Sequence, residues 1–236
     1  MKIRRLVSAA SAIGIACLVA AGQTPVVIND PISKSTEWKL SAAEQAIMDR
    51  SVLPPARRKL ASDACEETIE VSGILQGSFT RPGARQTLFF YQFCQTGNGL
   101  GTVGVAVIED GEVIANFVCA DSGWTVDAKK LPDINQNGLN EFALYYSGGM
   151  HQGEGGTGVD MFEISGRKMR EIGWFQAESF TADGPVKGYK VMAKPGKTPT
   201  FSREEYVQNA AGKWRKVGRP VALKIMAVTG SFEAVK

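Results

Sequence analysis

Ser78-Phe79-Thr80-x-x-Gly83 recurs as Ser179-Phe180-Thr181-x-x-Gly184, and Asp133-Ile134-Asn135-x-x-Gly138 stands between them in the same frame. From Gly83 to Gly138 the offset is 55 positions, and it holds downstream: Leu88-Phe89-Phe90 falls on Ala143-Leu144-Tyr145, Thr102 on Thr157, Gly111 on Gly166 and Phe117 on Ile172. The next offset is 46, carrying Gly138 to Gly184 and Gly166 to Gly212. A register kept at both ends of a unit marks a repeated supersecondary structure, and this constrains the fold more than any composition figure.

Inside each unit the pattern is alternating and β-branched, broken by glycine, which predicts strands and hairpins. Asp110-Gly111, Ser165-Gly166 and Ala211-Gly212 are tight-turn dipeptides, where glycine accepts a positive φ. A further strand leads into each loop: Ile69–Leu75, Trp124–Leu131 and Met169–Phe175. The expectation is a mainly β fold of three blade-like β-meander repeats, about 69–118, 119–168 and 169–224, within a β domain spanning 67–236. Three units are too few for an ordinary closed ring of blades, so the arrangement is expected to be propeller-like or sandwich-like.

Ahead of the repeats, Lys2, Arg4 and Arg5 precede an uncharged stretch from Leu6 to Val19 and the small residues Ala20, Ala21 and Gly22. This is the layout of a secretory signal peptide over 1–22, and it implies export to the periplasm or the extracellular space. A membrane anchor needs a longer and more apolar run. A lipid-modified Cys17 is the other competing reading, but Gly14-Ile15-Ala16 lacks the usual upstream leucine. Residues 23–40 read as an extended linker. Residues 41–66 read as a short helical region, with Ser41 and Glu44 forming a capping box and Pro54-Pro55 ending the first helix.

Removing the signal reshapes the charge argument. The chain has 27 basic and 24 acidic residues, and three of the basic ones lie in the signal, so the remainder is balanced. A nucleic-acid role has no support from a balanced chain. No second long apolar stretch follows, so no transmembrane segment is expected in the mature chain. Cys65, Cys94 and Cys119 allow one disulfide with one thiol left over. Three pairings are open, and the strand reading favours Cys65–Cys94, against the alternative of three buried thiols.

Asp133-x-Asn135-x-Asn137-Gly138-x-Asn140-Glu141 places oxygen side chains at alternate positions around a glycine bend, a pattern that can wrap a hard cation. Asp133, Asn135, Asn137 and Glu141 would supply side-chain oxygens and Leu139 a backbone carbonyl. It is not an EF-hand loop, because the twelfth position is Leu144. At these residues, and in the apolar strand Phe142-Ala143-Leu144-Tyr145-Tyr146 that follows, the chain resembles the FG-GAP/VCBS family of integrin-α-like β-propeller blades. The resemblance implies a β-blade using one structural calcium ion, often in a surface or adhesion protein. Two asparagines stand where that pattern has aspartates, which implies a weak site. The other two units lack the ligand set: Pro82 and Gln86 replace Asn137 and Glu141 in the first, and Lys187 replaces Glu141 in the third. An Asx-type turn held by its own side chains is the ion-free alternative.

Ser147 to Gly158 carries six glycines and the only histidine, so His151 and Glu154 are the candidates for a ligand loop. A phosphate cradle would need a helix to follow, and a strand is expected here. No G-x-S-x-G and no His/Cys cluster occurs, so no catalytic residue is assigned. Charge is uneven along the chain: residues 109–183 hold 13 acidic and 5 basic residues, whereas 185–224 hold 10 basic and 2 acidic. That basic unit suits an anionic envelope polymer, lipid head groups or an acidic partner protein, unless neighbouring units neutralise one another. Trp174 and Trp214 read as packing residues. The function expected is that of an exported, non-catalytic binding or structural module of the cell envelope. The alternatives are a secreted hydrolase with a carboxylate/His site near His151 and Glu154, or an accessory subunit docking onto a larger envelope complex.

Overall fold

The computed structural model describes residues 24–60, 70–97, 100–147, 153–227 and 231–235. The signal peptide with Cys17, and also Cys65 and His151, lie outside the described residues. Among the described residues there are twelve strands: β1 (Val26–Asn29), β2 (Glu70–Gly77), β3 (Gln86–Gly97), β4 (Leu100–Glu109), β5 (Glu112–Lys130), β6 (Phe142–Ser147), β7 (Glu154–Ser165), β8 (Lys168–Thr181), β9 (Lys187–Lys194), β10 (Thr200–Gln208), β11 (Trp214–Leu223) and β12 (Glu233–Ala234). From β2 to β11 they hydrogen-bond in chain order as one antiparallel path. The mainly β expectation therefore holds, with a short helical region near the N-terminus.

That path folds into layers because each long strand serves two sheets. The first part of β5 pairs with β4, from Glu112 to Gly123, and the second pairs with β6, from Trp124 to Lys130. The strand runs unbroken through position 119, where the sequence pattern places a unit boundary. In the same way β8 pairs with β7 along most of its length and with β9 only at Glu178 and Ser179. Three meanders result: β2 to the first part of β5, the rest of β5 to β8, and the end of β8 to β11.

Alternation then decides the packing, since successive side chains point to opposite faces. Leu88 and Phe90 of β3, Val103, Val105 and Val107 of β4 and Phe117 of β5 meet Phe142 and Leu144 of β6 and Phe162 and Ile164 of β7 in one core. Phe90 and Tyr146 cross edge-to-face there, with centroids 5.5 Å apart. The opposite faces of β6 and β7, through Ala143, Tyr145, Val159 and Met161, pack on Val191 and Ala193 of β9 in a second core. The outer face of the first meander, including Phe89, Tyr91 and Phe93, is covered by Met48, Val52, Leu53 and Ala56 in a third. The layers run helix, sheet, sheet, sheet. Gly73 permits the tight crossing of β2 over β5, because a Cβ there would stand 2.4 Å from that of Ala128.

Two expectations near the N-terminus need correction. Residues 26–29 are not linker but β1, paired antiparallel with β9 at Val26↔Ala193, Val27↔Met192 and Asn29↔Val191. Ile28 is buried, and its carbonyl accepts from the Tyr145 hydroxyl at 3.2 Å, so a run too short to read as a strand alone is stabilised by a distant sheet. The helical region is α1 (Ala42–Ile47), a π-turn at Met48–Val52 and α2 (Leu53–Lys59), with the Ser41–Glu44 capping box in place. Pro54 and Pro55 do not separate two helices by a loop. They sit in the first turn of α2, which follows directly on the π-turn with Val52 and Leu53 both in helical conformation.

The far end of the chain ties the layers together. Met226 exchanges two backbone hydrogen bonds with Trp174 of β8, Phe232 packs edge-on to Phe162 at 5.3 Å, and β12 pairs with Phe117 and Val118 of β5. Among the described residues no helix is long and apolar enough to cross a membrane.

Candidate functional site

The Asp133–Glu141 segment connects β5 to β6, and its ends are pinned by Leu131 N–H donating to the Glu141 carbonyl at 2.7 Å. Asp133 turns its carboxylate inward onto the loop, accepting from the N–H groups of Asn137 (2.9 Å) and Gly138 (2.7 Å). Asn137 Oδ1 in turn accepts from Leu139 N–H at 2.9 Å. The bend puts Gln136 at φ 63° and Gly138 at φ 89°. Both are left-handed, and glycine tolerates that region best.

Glu141 is fully buried, and its two carboxylate oxygens accept from Ile134 N–H (2.9 Å) and Asn135 N–H (3.3 Å). Burial pushes its carboxyl up to about 7, with the nearby Asp133 charge adding to the effect and the backbone N–H groups opposing it. Asn140 faces the other way and staples this loop to the first meander: its N–H donates to Ser78 C=O at 2.8 Å, and its Oδ1 accepts from Ser78 N–H at 2.9 Å.

A residue that the loop pattern does not include completes the arrangement. Glu163 of β7 is 1 % exposed and accepts from Asn135 Nδ2 at 2.6 Å and from Asn137 Nδ2. Arg170 lies at the margin of its reach, 4.0 Å from Oε1. Asn135 Oδ1 is buried without a hydrogen-bond partner. The only sequence signal for Glu163 is an acid inside the apolar run Met161-Phe162-Glu163-Ile164, at a position that alternation alone would make core.

The equivalent loops are built alike with different chemistry. In the first meander Gln86, 1 % exposed, takes the place of Glu141, and its Oε1 accepts from Phe79 N–H (2.9 Å) and Thr80 N–H (3.0 Å). Its Nε2 donates to Thr80 Oγ1 and to Glu109 Oε2, at 2.7 and 2.9 Å, and Glu109 is ion-paired with Arg81. In the third meander Lys187 faces Glu205 at 3.7 Å. The first two meanders thus each send one glutamate from the third strand to the loop, Glu109 at the end of β4 and Glu163 in β7, whereas in the third the residue opposite Lys187 is Val207.

Among the described residues no three His, Cys, Asp or Glu side chains gather as a metal site. The donors at the Asp133 loop are instead mostly amide and carbonyl oxygens, with carboxylates spread around them.

Of the other sequence candidates, Glu154 opens β7 and lies in a groove of about 680 Å³ with Gln176, Phe180, Lys187 and Tyr189. It is exposed and apart from the Asp133 loop, and its proposed neighbour His151 is outside the described residues. Cys94 is disulfide-bonded. The Cys65 half of the favoured pairing lies outside the described residues, and Cys119 keeps a buried thiol that donates to the Ala120 carbonyl at 3.3 Å. Trp174 packs over Gly158 and Trp214 over Gly188, in the packing roles expected of them.

No family model matches the chain, and no curated protein and no solved structure matches it either.

Proposed function

We propose that the chain is an exported, non-catalytic β-repeat module of the cell envelope that binds an anionic partner through its third meander. The observation that carries this reading is the uncovered basic sheet at the end of the layered stack. Helices shelter the first meander and the first and third shelter the second, yet β11 is exposed along all but its end residues. Lys187, Lys190 and Lys216 are ion-paired with Glu205, Asp30 and Glu204. Arg215 and Arg219 on β11 have no ion pair among the described residues. The edge itself is blunted: Gly218 takes φ 76°, the register slips between Arg203 and Glu205, and Pro220 removes a donor. The partner is therefore recognised by charge and not by adding a strand. The test uses native envelope fractions carrying the full chain. Wild type is expected in a larger assembly at low salt and released at high salt, with the Arg215→Glu/Arg219→Glu chain released at both. Recovery of both chains as free monomers at low salt removes the reading.

The Asp133 loop is the structural clasp of this module, and we propose that it takes one calcium ion, in keeping with the FG-GAP/VCBS resemblance. Asp133, Asn135, Asn137 and Glu141 would hold the ion with the Leu139 carbonyl, and the ion would supply positive charge where buried oxygens lack it. The donor set fits: all are hard oxygens, and Asn135 Oδ1 is a buried acceptor in need of a partner. Melting of the mature chain in calcium and in chelator tests this, with a higher midpoint expected in calcium. Identical midpoints with no bound ion by native mass spectrometry would remove it.

A further inference from the structure

We infer that Asn137-Gly138 is a latent modification site, an asparagine set up for spontaneous deamidation that the closed loop holds unreactive. Asparagine followed by glycine is the least hindered pair for this reaction, because the attacking residue carries no side chain. The Gly138 nitrogen loses its proton and bonds to Asn137 Cγ, the Cγ–Nδ2 bond breaks, and ammonia leaves. Water then opens the cyclic imide to aspartate or isoaspartate, so one water is consumed and one ammonia released. Both residues are exposed, and water reaches them whenever the loop opens. The inference stands independently of the calcium reading above.

Three groups oppose that chemistry in the closed loop. The Asp133 carboxylate accepts from Gly138 N–H at 2.7 Å, so the attacking nitrogen keeps its proton. Its other oxygen accepts from Asn137 N–H at 2.9 Å, which fixes the backbone on both sides of the reacting side chain. The side-chain amide is itself held at both ends: Oδ1 accepts from Leu139 N–H at 2.9 Å, and Nδ2 donates to Glu163. Cγ cannot swing onto the Gly138 nitrogen until these bonds part together. Reaction through a rare open state slows about tenfold for each 1.4 kcal/mol of opening free energy.

The product keeps the loop open. An aspartate at 137 offers no side-chain N–H to Glu163, which is 1 % exposed, and adds a carboxylate beside Asp133 and Glu163. The lost donor and the like charges both disfavour closure. Asn140 of the same loop is stapled to Ser78, so the change also loosens the first meander from the second.

Incubation of the full mature chain at pH 8 in chelator, with deamidation at Asn137 followed by peptide mass spectrometry, tests this. Wild type is compared in its folded state, in its urea-unfolded state and with Asp133→Ala. Should Asp133→Ala not fold by circular dichroism, Asp133→Asn, which keeps one of the two acceptors, is read in the same way. The expected result is a folded rate at least roughly 10-fold below the unfolded one, and a faster folded rate in the Asp133 variant. The Asn137→Asp chain, which carries the product, should melt below wild type in chelator. A folded wild type that deamidates as fast as the unfolded chain overturns the protection. A rate that is unchanged or slower in the Asp133 variant overturns the role of Asp133, the slower one being the result if its carboxylate acted as a base. A wild-type or higher midpoint for Asn137→Asp overturns the claim that the product keeps the loop open.

Discussion

Glu141→Gln converts the middle loop to the chemistry of the first, and the outcome can be worked from the structure. Gln86 already shows that a glutamine at this place can satisfy two backbone N–H groups through one oxygen while its amide nitrogen donates. In the variant, the new amide oxygen would meet Ile134 and Asn135 N–H, and the new amide nitrogen would find Asn135 Oδ1, the acceptor now buried without a partner. Burial raises the Glu141 carboxyl from 4.5 to about 7. The folded state therefore holds more protons than the unfolded state between those values, and stability falls as pH rises through that window. At about 1.4 kcal/mol per unit, the ionised form at pH 8 costs about 3 kcal/mol. In chelator at pH 8, Glu141→Gln should gain up to that amount, or roughly 6–12 °C in midpoint for a domain of this size. At pH 4.5 the two chains should converge. Denaturant unfolding from pH 4.5 to 8.5 in chelator is the assay. A variant less stable than wild type at pH 8, or a difference that does not change with pH, would refute the reasoning. With calcium present the order should reverse, because the substitution removes a ligand.

Two other perturbations probe the layers around the site. Burial raises the Asp160 carboxyl to about 7, with the Glu171 charge adding to it, so Asp160→Asn should be stabilising above pH 7 and neutral near pH 4. Parallel pH profiles for the two chains in thermal melts would count against it. Phe232→Ala removes the ring packed on Phe162 and should cost about 2–3 kcal/mol while loosening β12 from β5. Denaturant midpoints and amide exchange at Phe117 and Val118 report it, and a cost below about 0.5 kcal/mol would mean that the C-terminal strap carries little of the stability.

Local features were legible because their causes lie within a few residues. The Ser41 capping box needs only Glu44, and the Asp110-Gly111 hairpin needs only two residues able to take φ 50° and 84°. The Asp133 turn needs only its own Asx geometry with Asn137 and Gly138.

The repeat frame named the loops, but it could not reveal what each loop meets. Glu163 reaches Asn135 and Asn137 across 28 and 26 positions, β1 joins β9 across more than 160, and Met226 bridges back to Trp174. Such partners are set by how strands stack, and a four-residue run such as Val26–Asn29 gains its order from the sheet it enters. By itself, then, the sequence determined that strands and turns recur in a fixed register, because backbone sterics and side-chain alternation act locally. The tertiary structure alone decided that β5 and β8 are shared between sheets, that β1 and the segment from Met226 to β12 clasp distant layers, and that Glu109 and Glu163 meet the first two loops. Burial and charge compensation are properties of neighbours in space, and the order of residues along the chain does not fix them.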